Sequence, residues 1–243
     1  MNKYYFPASG FGFWYQLGVL EKIYNEDIEI HGCSSGSIIC LMSLLKEEDR
    51  KFTVVGKIAD KIRKSRFSIN IYYYLDELFK KELEVIKNYD EELVKKRLSK
   101  INIEMCQVKF KYYIPYFEKI IGKPKNLQEL RDFVISSCYV PFFSYHNNPF
   151  YFKINNSIYI DGFFASFSNV NNNFKKINSY RFSTLIPLNY EKAEELYNLG
   201  LNHKFENFNP NFNFTVFITI IINIIFDLLK WLMKKMASMI HQS

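Results

Sequence analysis

The sequence predicts an α/β fold built on a central, mostly parallel sheet, and three observations predict it. A short strand ahead of Ala8 runs through a small-residue turn, Ala8-Ser9-Gly10-Phe11-Gly12-Phe13, into the helix-like segment Trp14–Leu20. A second apolar-alternating run, Asp27–His31, leads through Gly32-Cys33-Ser34-Ser35-Gly36 into a second apolar segment, Ile38–Leu45. Strand, turn and helix in repeated alternation is how a parallel sheet is written in a chain. Third, 48% of the 243 residues are hydrophobic and 18% aromatic, enough for a sizeable core and too much for a disordered chain.

Gly32-Cys33-Ser34-Ser35-Gly36 is a G-x-S-x-G pattern in the setting that a nucleophile elbow requires, after a strand and before a helix. Glycines flank such a serine because the tight turn packs backbone against backbone, where a side chain would clash. The elbow lifts the Ser34 hydroxyl off the strand end, at the positive end of the following helix, where an oxyanion is favoured.

From Glu47 to about Lys125 the chain is charged and helix-periodic, as in Lys57–Ile62 and Glu91–Leu98, and predicts helices that cover the sheet or form a cap. Gln107–Tyr113 alternates and fits a strand instead. Asn126 is placed to cap a helix with Leu127, Leu130, Val134 and Ile135 on its apolar stripe, and Pro141 follows it. Phe150–Ile154 and Ser157–Ile160 flank Asn155-Asn156, which predicts a hairpin. The domain is expected to span 1–190, followed by a linker over 191–213 and a hydrophobic helix over 214–235. That last stretch is near the length of a membrane span but holds Asn223, Asp227 and Lys230, with Trp231 and a basic cluster at its end. It is expected to span a bilayer or lie in its interface, the rival being a greasy helix packed on the domain.

The net charge of +7 is spread along the chain and suits anionic surfaces. No helix-turn-helix, zinc-finger or RNP pattern accompanies it, so a membrane surface is the expected partner rather than nucleic acid. Cys33, Cys40, Cys106 and Cys138 have neither metal-ligand spacing nor a disulfide framework, which predicts free thiols in a reducing compartment.

A serine nucleophile needs a base and a place for the oxyanion. Of His31, His146, His203 and His241, only His203 is a fair candidate for the base. Asp161-Gly162 is better supported: it closes the strand Ser157–Ile160, and the glycine lets a carboxylate at a strand end approach a neighbouring loop. The turn Ala8–Phe13 presents backbone N–H groups at the start of a helix, which suits an oxyanion.

Four blocks in this order resemble the patatin-like phospholipases. They are the turn and helix Ala8–Leu20, the elbow Gly32–Gly36, the segment Ser136-Ser137-Cys138-Tyr139-Val140-Pro141, and Tyr159-Ile160-Asp161-Gly162. The first block is most similar to the adiponutrin-like branch, although Ala8 and Ser9 stand where the family has glycines. The resemblance implies a three-layer α/β/α domain and a Ser-Asp dyad, with Ser34 as nucleophile and Asp161 as general base. It also implies an oxyanion hole from the backbone amides of Ser9, Gly10 and Phe11, with Gly32 and Gly36 as the elbow glycines. The implied reaction is hydrolysis of a phospholipid or other acyl-lipid ester through an acyl-enzyme, with no metal or cofactor, by a membrane-associated cytoplasmic domain. Acyl transfer, neutral-lipid hydrolysis and non-catalytic lipid binding are the alternatives on the same fold.

Overall fold

The first 45 residues fold in the order their pattern predicts. In the computed structural model, β1 (Lys3–Phe6), α1 (Phe13–Ile23), β2 (Glu29–Cys33) and α2 (Gly36–Met42) follow one another, with a short 3-10 turn at Gly10–Gly12 before α1. Then come the helices α3 (Glu47–Arg50), α4 (Phe52–Arg63), α5 (Ile71–Ile86) and α6 (Glu91–Leu98). β3 (Ile101–Lys111), β4 (Ile114–Gly122), α7 (Leu127–Ser137), β5 (Phe152–Ile154) and β6 (Ser157–Ile160) follow. A 3-10 turn at Gly162–Ala165, β7 (Lys175–Lys176) and α8 (Tyr190–Leu201) end the series. The structure describes residues 2–65, 70–144, 146–165, 174–177 and 187–203, all within the compact unit Met1–Glu206.

The sheet runs β5-β6-β3-β2-β1-β7, with β4 paired to β3 beside it. Its pairings β7-β1, β1-β2 and β2-β3 are parallel, and β3-β4, β3-β6 and β5-β6 are antiparallel. The expected α/β class, with a central, mostly parallel sheet and helices packed around it, is what forms. The periodic helices end at Leu98, however, and the strand reading of Gln107–Tyr113 extends to the whole of Ile101–Gly122. Alternation decides it: Ile101, Ile103 and Met105 join the core shared with the helices, while Asn102, Glu104 and Cys106 lie on the other face. Both sets are buried because β3 is a central strand.

The helical side of the sheet is apolar throughout. Tyr4, Phe6, Ile30, Ile101, Ile103 and Met105 pack with α1, α2, α4, α5, α7 and α8 in one core. Helix α1 is buried all round from Phe13 to Leu20, the pattern of a helix enclosed by its neighbours. Part of its enclosure is α8, which occupies the start of the expected linker. Gly18 and Gly200 let the two helices meet backbone to backbone: a Cβ at Gly18 would lie 2.1 Å from the Tyr197 carbonyl oxygen, and one at Gly200 would lie 2.0 Å from that of Tyr15. Asn189 caps α8 by accepting a hydrogen bond from the Lys192 N–H. The domain therefore reaches at least to Leu201, past the boundary expected at 190.

Asn126 caps α7 as expected, accepting from the Glu129 N–H at 2.8 Å, and Asn155-Asn156 turns the β5-β6 hairpin. The hydrophobic segment 214–235 lies outside the described residues. Among the described residues no helix is long and apolar enough to cross a membrane.

Candidate active site

One edge of β3 brings the two expected residues together. β4 pairs with β3 from Ile103 to Lys111 and so takes one edge of that strand. β2 pairs with Ile101–Glu104 and β6 with Cys106–Val108, so both lie on the other edge. β2 is parallel to β3 and β6 antiparallel, which makes their C-terminal ends meet head to head beside Met105. Ser34 follows the last residue of β2, and Asp161 follows the last residue of β6. Across that junction the Ser34 hydroxyl donates a hydrogen bond of 2.8 Å to Asp161 Oδ2.

The elbow geometry is the predicted one. Ser34 has φ 52°, left-handed backbone that a non-glycine residue adopts only where its surroundings hold it there. The two glycines are required by close approach. A Cβ at Gly32 would sit 2.4 Å from the Gly36 carbonyl oxygen, and one at Gly36 only 1.9 Å from that of Phe6. Hydrogen bonds complete the clamp: Ser34 N–H donates to Ser137 Oγ at 2.7 Å, and the Ser37 hydroxyl donates to the Ser34 carbonyl oxygen at 2.6 Å. Ser137 in turn donates to the Glu104 carbonyl oxygen at 2.6 Å, so one hydroxyl ties α7, the elbow and β3 together.

Asp161 is 2% exposed, and Ser34 8%. Burial pushes the Asp161 pKa up to about 7, opposed by the hydrogen bonds its carboxylate accepts from the Phe163 N–H and from Ser34. A carboxylate near pKa 7 accepts a proton from an attacking hydroxyl far more readily than one at the ordinary value of about 4. Gly162 is needed here too, since a Cβ would lie 2.5 Å from the Glu104 carbonyl oxygen.

Ser34 and Asp161 line a pocket enclosing about 360 Å³ of empty space, its open mouth included. Gly10, Phe11, Phe13, Ser35, Ile38, Ile71, Leu75, Cys138 and Val140 form the rest of its wall, most of it apolar. The turn expected to hold an oxyanion is therefore at the site, with one correction. Ser9 N–H donates to Ser35 Oγ at 2.8 Å and is not available, while the Ser9 hydroxyl lies 3.1 Å from the same oxygen. Ser9 thus joins the first turn to the elbow. The N–H groups of Gly10 and Phe11 have no acceptor among the described residues, and neither has that of Ser35. Ser35 is a donor that the reading of the turn missed. Its position directly after the nucleophile was the available signal, because that residue's N–H faces the same oxyanion as the nucleophile's own carbonyl target.

Among the described residues no histidine joins the pair. His203 Nδ1 hydrogen-bonds Tyr15 Oη beside α1 and α8. His146 stacks on Tyr72. His31 points to the opposite face of the sheet between Tyr5 and Phe174, where burial lowers its pKa to about 4. His241 lies outside the described residues. Burial raises the thiols of Cys33 and Cys138, the second a pocket-wall residue, so neither is a thiolate nucleophile in this setting. All four cysteines are unpaired, and no metal-binding cluster occurs among the described residues. The chain matches no protein-family model and no curated protein sequence.

Proposed function

We propose that this protein is a serine acyl hydrolase of lipids, of the patatin-like kind, working through Ser34 and Asp161 without histidine. The observation that carries the reading is the 2.8 Å hydrogen bond from the Ser34 hydroxyl to a buried, basic carboxylate on the floor of an apolar pocket. The order of strand, turn, helix, strand, elbow and helix supports the patatin-like fold, with Asp161-Gly162 at the end of β6. Burial of Tyr5, His31 and Glu104 on the face away from the helices supports a third layer there.

The proposed steps use that geometry. Asp161 takes the Ser34 proton as Oγ attacks the ester carbonyl carbon, and the carbonyl oxygen becomes an oxyanion. The N–H groups of Gly10, Phe11 and Ser35 stabilise it in a site shielded from water, where each donor counts for more than in solution. The carbon–oxygen bond to the alcohol breaks, and Asp161 returns its proton to the leaving alkoxide. The resulting Ser34 ester is cleaved by water, which Asp161 deprotonates, releasing the acid and restoring the serine. Phe11, Phe13, Ile38, Ile71, Leu75 and Val140 supply an apolar wall for the acyl chain. The reading makes a phospholipid or similar acyl lipid the substrate and a membrane surface the place of work. Four unpaired cysteines support a cytoplasmic setting.

The test is labelling by a fluorophosphonate probe beside a Ser34→Ala control. Serine-dependent labelling with release of fatty acid from phospholipid is the expected result. A folded protein that neither labels nor hydrolyses lipid would instead be a lipid-binding relative of such enzymes.

A further inference from the structure

Seven of the nine exposed large hydrophobic side chains among the described residues lie in the β3-β4 hairpin. β3 continues past the edge where Ser34 and Asp161 meet at Met105, and reaches its turn at Tyr112-Tyr113. Seven residues of strand place that tip roughly 20 Å beyond the level of the dyad, on the side of the sheet that holds the elbow. Residues 110–117 are all exposed, so both faces of the ribbon stand in solvent. They include Tyr112 at 86%, Tyr113 at 98%, Ile114 at 69% and Phe110 at 61%.

The turn itself is costly. With Lys111 paired to Ile114, Tyr112 and Tyr113 form a two-residue loop, and both have positive φ, 51° and 67°. Such a loop favours Asn-Gly, whereas L residues with large side chains are disfavoured there by roughly 1 kcal/mol each. Two tyrosines are held in strained backbone at the exposed tip of the hairpin. The tip sequence Phe110-Lys111-Tyr112-Tyr113-Ile114-Pro115-Tyr116 contains one lysine and no acidic residue, and Lys109 just behind it is paired with Glu118.

We propose that this hairpin tip is a docking element for an anionic lipid surface. Tyrosine, phenylalanine and isoleucine at the end of a narrow two-sided ribbon suit insertion at the headgroup level, where amphipathic aromatic rings settle. Lys111 sits where it meets anionic headgroups, in keeping with the chain's net charge of +7, while Lys109 lies behind it, paired with Glu118 across the ladder. A protein partner would cover one face of a ribbon, whereas a lipid interface covers a projecting tip on both. Docking here brings the dyad's edge of the sheet to face the bilayer. The proposal rests on the hairpin's own residues, and the lipid-hydrolase reading gives the docking its use.

A polarity-sensitive nitrobenzoxadiazole label on Tyr113→Cys tests it in the full chain. The four native cysteines are buried, so the introduced thiol is the reactive one. The control is Glu92→Cys on α6, which leads into the opposite end of β3. Vesicles of phosphatidylcholine with phosphatidylglycerol should shift the Tyr113→Cys emission to the blue and leave the Glu92→Cys emission unchanged. Phosphatidylcholine alone should produce a smaller shift. No shift at the tip while the protein sediments with the vesicles would overturn the proposal, as would absence of vesicle binding. A shift that depends on protein concentration without lipid would replace it with a contact between copies.

A second variant, Tyr112→Asn with Tyr113→Gly, keeps the turn and removes both rings, so folding is preserved. Hydrolysis of vesicle phospholipid should fall about tenfold, while a soluble short-chain ester is cleaved at the wild-type rate. Equal rates on vesicles would overturn the docking proposal. A wild-type protein that cleaves neither substrate, yet shows the tip shift, would overturn the hydrolase reading and leave the docking element standing.

Discussion

Ser34, at φ 52°, and Tyr112-Tyr113, at φ 51° and 67°, share the left-handed region of backbone space, one buried among close-packed main chain and the other in open solvent. Around Ser34 everything enforces the conformation. Gly32 and Gly36 admit the main chain of neighbouring segments, Ser137 and Ser37 bond its N–H and carbonyl, and Asp161 takes its hydroxyl. At the hairpin the turn is held by the strand ladder on either side and by the Lys111 ammonium over the Tyr112 ring. Strain at the elbow is locked in place by packing, so removing a support there should damage the whole domain. Strain at the tip is local, and relieving it should help the fold.

The largest expected effect is on chemistry. Ser34→Ala and Asp161→Asn should each lower ester hydrolysis by about 10³-fold or more while the protein stays folded, as removal of members of such a catalytic unit does. Release of fatty acid beside a circular dichroism spectrum checks it, and near-wild-type turnover in either variant would undo the dyad assignment. Next in size, Gly36→Ala forces a Cβ to 1.9 Å from the Phe6 carbonyl oxygen, so backbone must move. A loss of about 3 kcal/mol or more is expected, read from denaturant unfolding or from failure to yield soluble protein.

Ser137→Ala should cost about 1–3 kcal/mol, because it leaves the buried Ser34 N–H without an acceptor. It should also slow turnover by loosening the nucleophile's position. An unchanged midpoint would mean that the elbow does not need this tie.

Asp161 predicts opposite pH trends for activity and stability. As a base it must be ionised, so the rate should fall about tenfold per pH unit below its pKa of about 7. Because that pKa is raised above the unfolded value, the folded state is favoured by holding the proton. Its contribution is fully present below about pH 4 and is lost as pH rises through about 7. Asp161→Asn should therefore be more stable than the wild type at pH 8, and the gap in melting temperature should close near pH 4. A gap independent of pH would show that the carboxyl does not titrate in that window.

The smallest effect has the opposite sign. Tyr112→Asn with Tyr113→Gly should raise stability by about 1 kcal/mol, since Asn-Gly fits the turn that tyrosines strain. A loss of stability would place part of the domain's support in those rings and erase the contrast between the two turns.

Local signals carried far in this chain. The elbow was legible because a G-x-S-x-G pattern between a strand and a helix demands one backbone shape, and the caps Asn126 and the Asn155-Asn156 hairpin are likewise short-range chemistry. Ser9 departs from its expected role because whether its N–H is available depends on Ser35 Oγ, twenty-six residues away in sequence. Helix α8 forms where the sequence predicts a linker because its partner surface on α1, the Gly18–Gly200 contact, spans the length of the domain.

Periodicity and turn chemistry act within a few residues, so the amino-acid order alone settles which segments are strand, turn and helix near the N-terminus, and which serine stands at the elbow. The sharing of one β3 edge by β2 and β6 is a different kind of fact. It depends on strand pairings between residues about 70 and 50 positions apart, and it alone puts Asp161 within hydrogen-bond reach of Ser34. Burial then follows from packing, and burial is what turns an ordinary aspartate into a base near neutral pH.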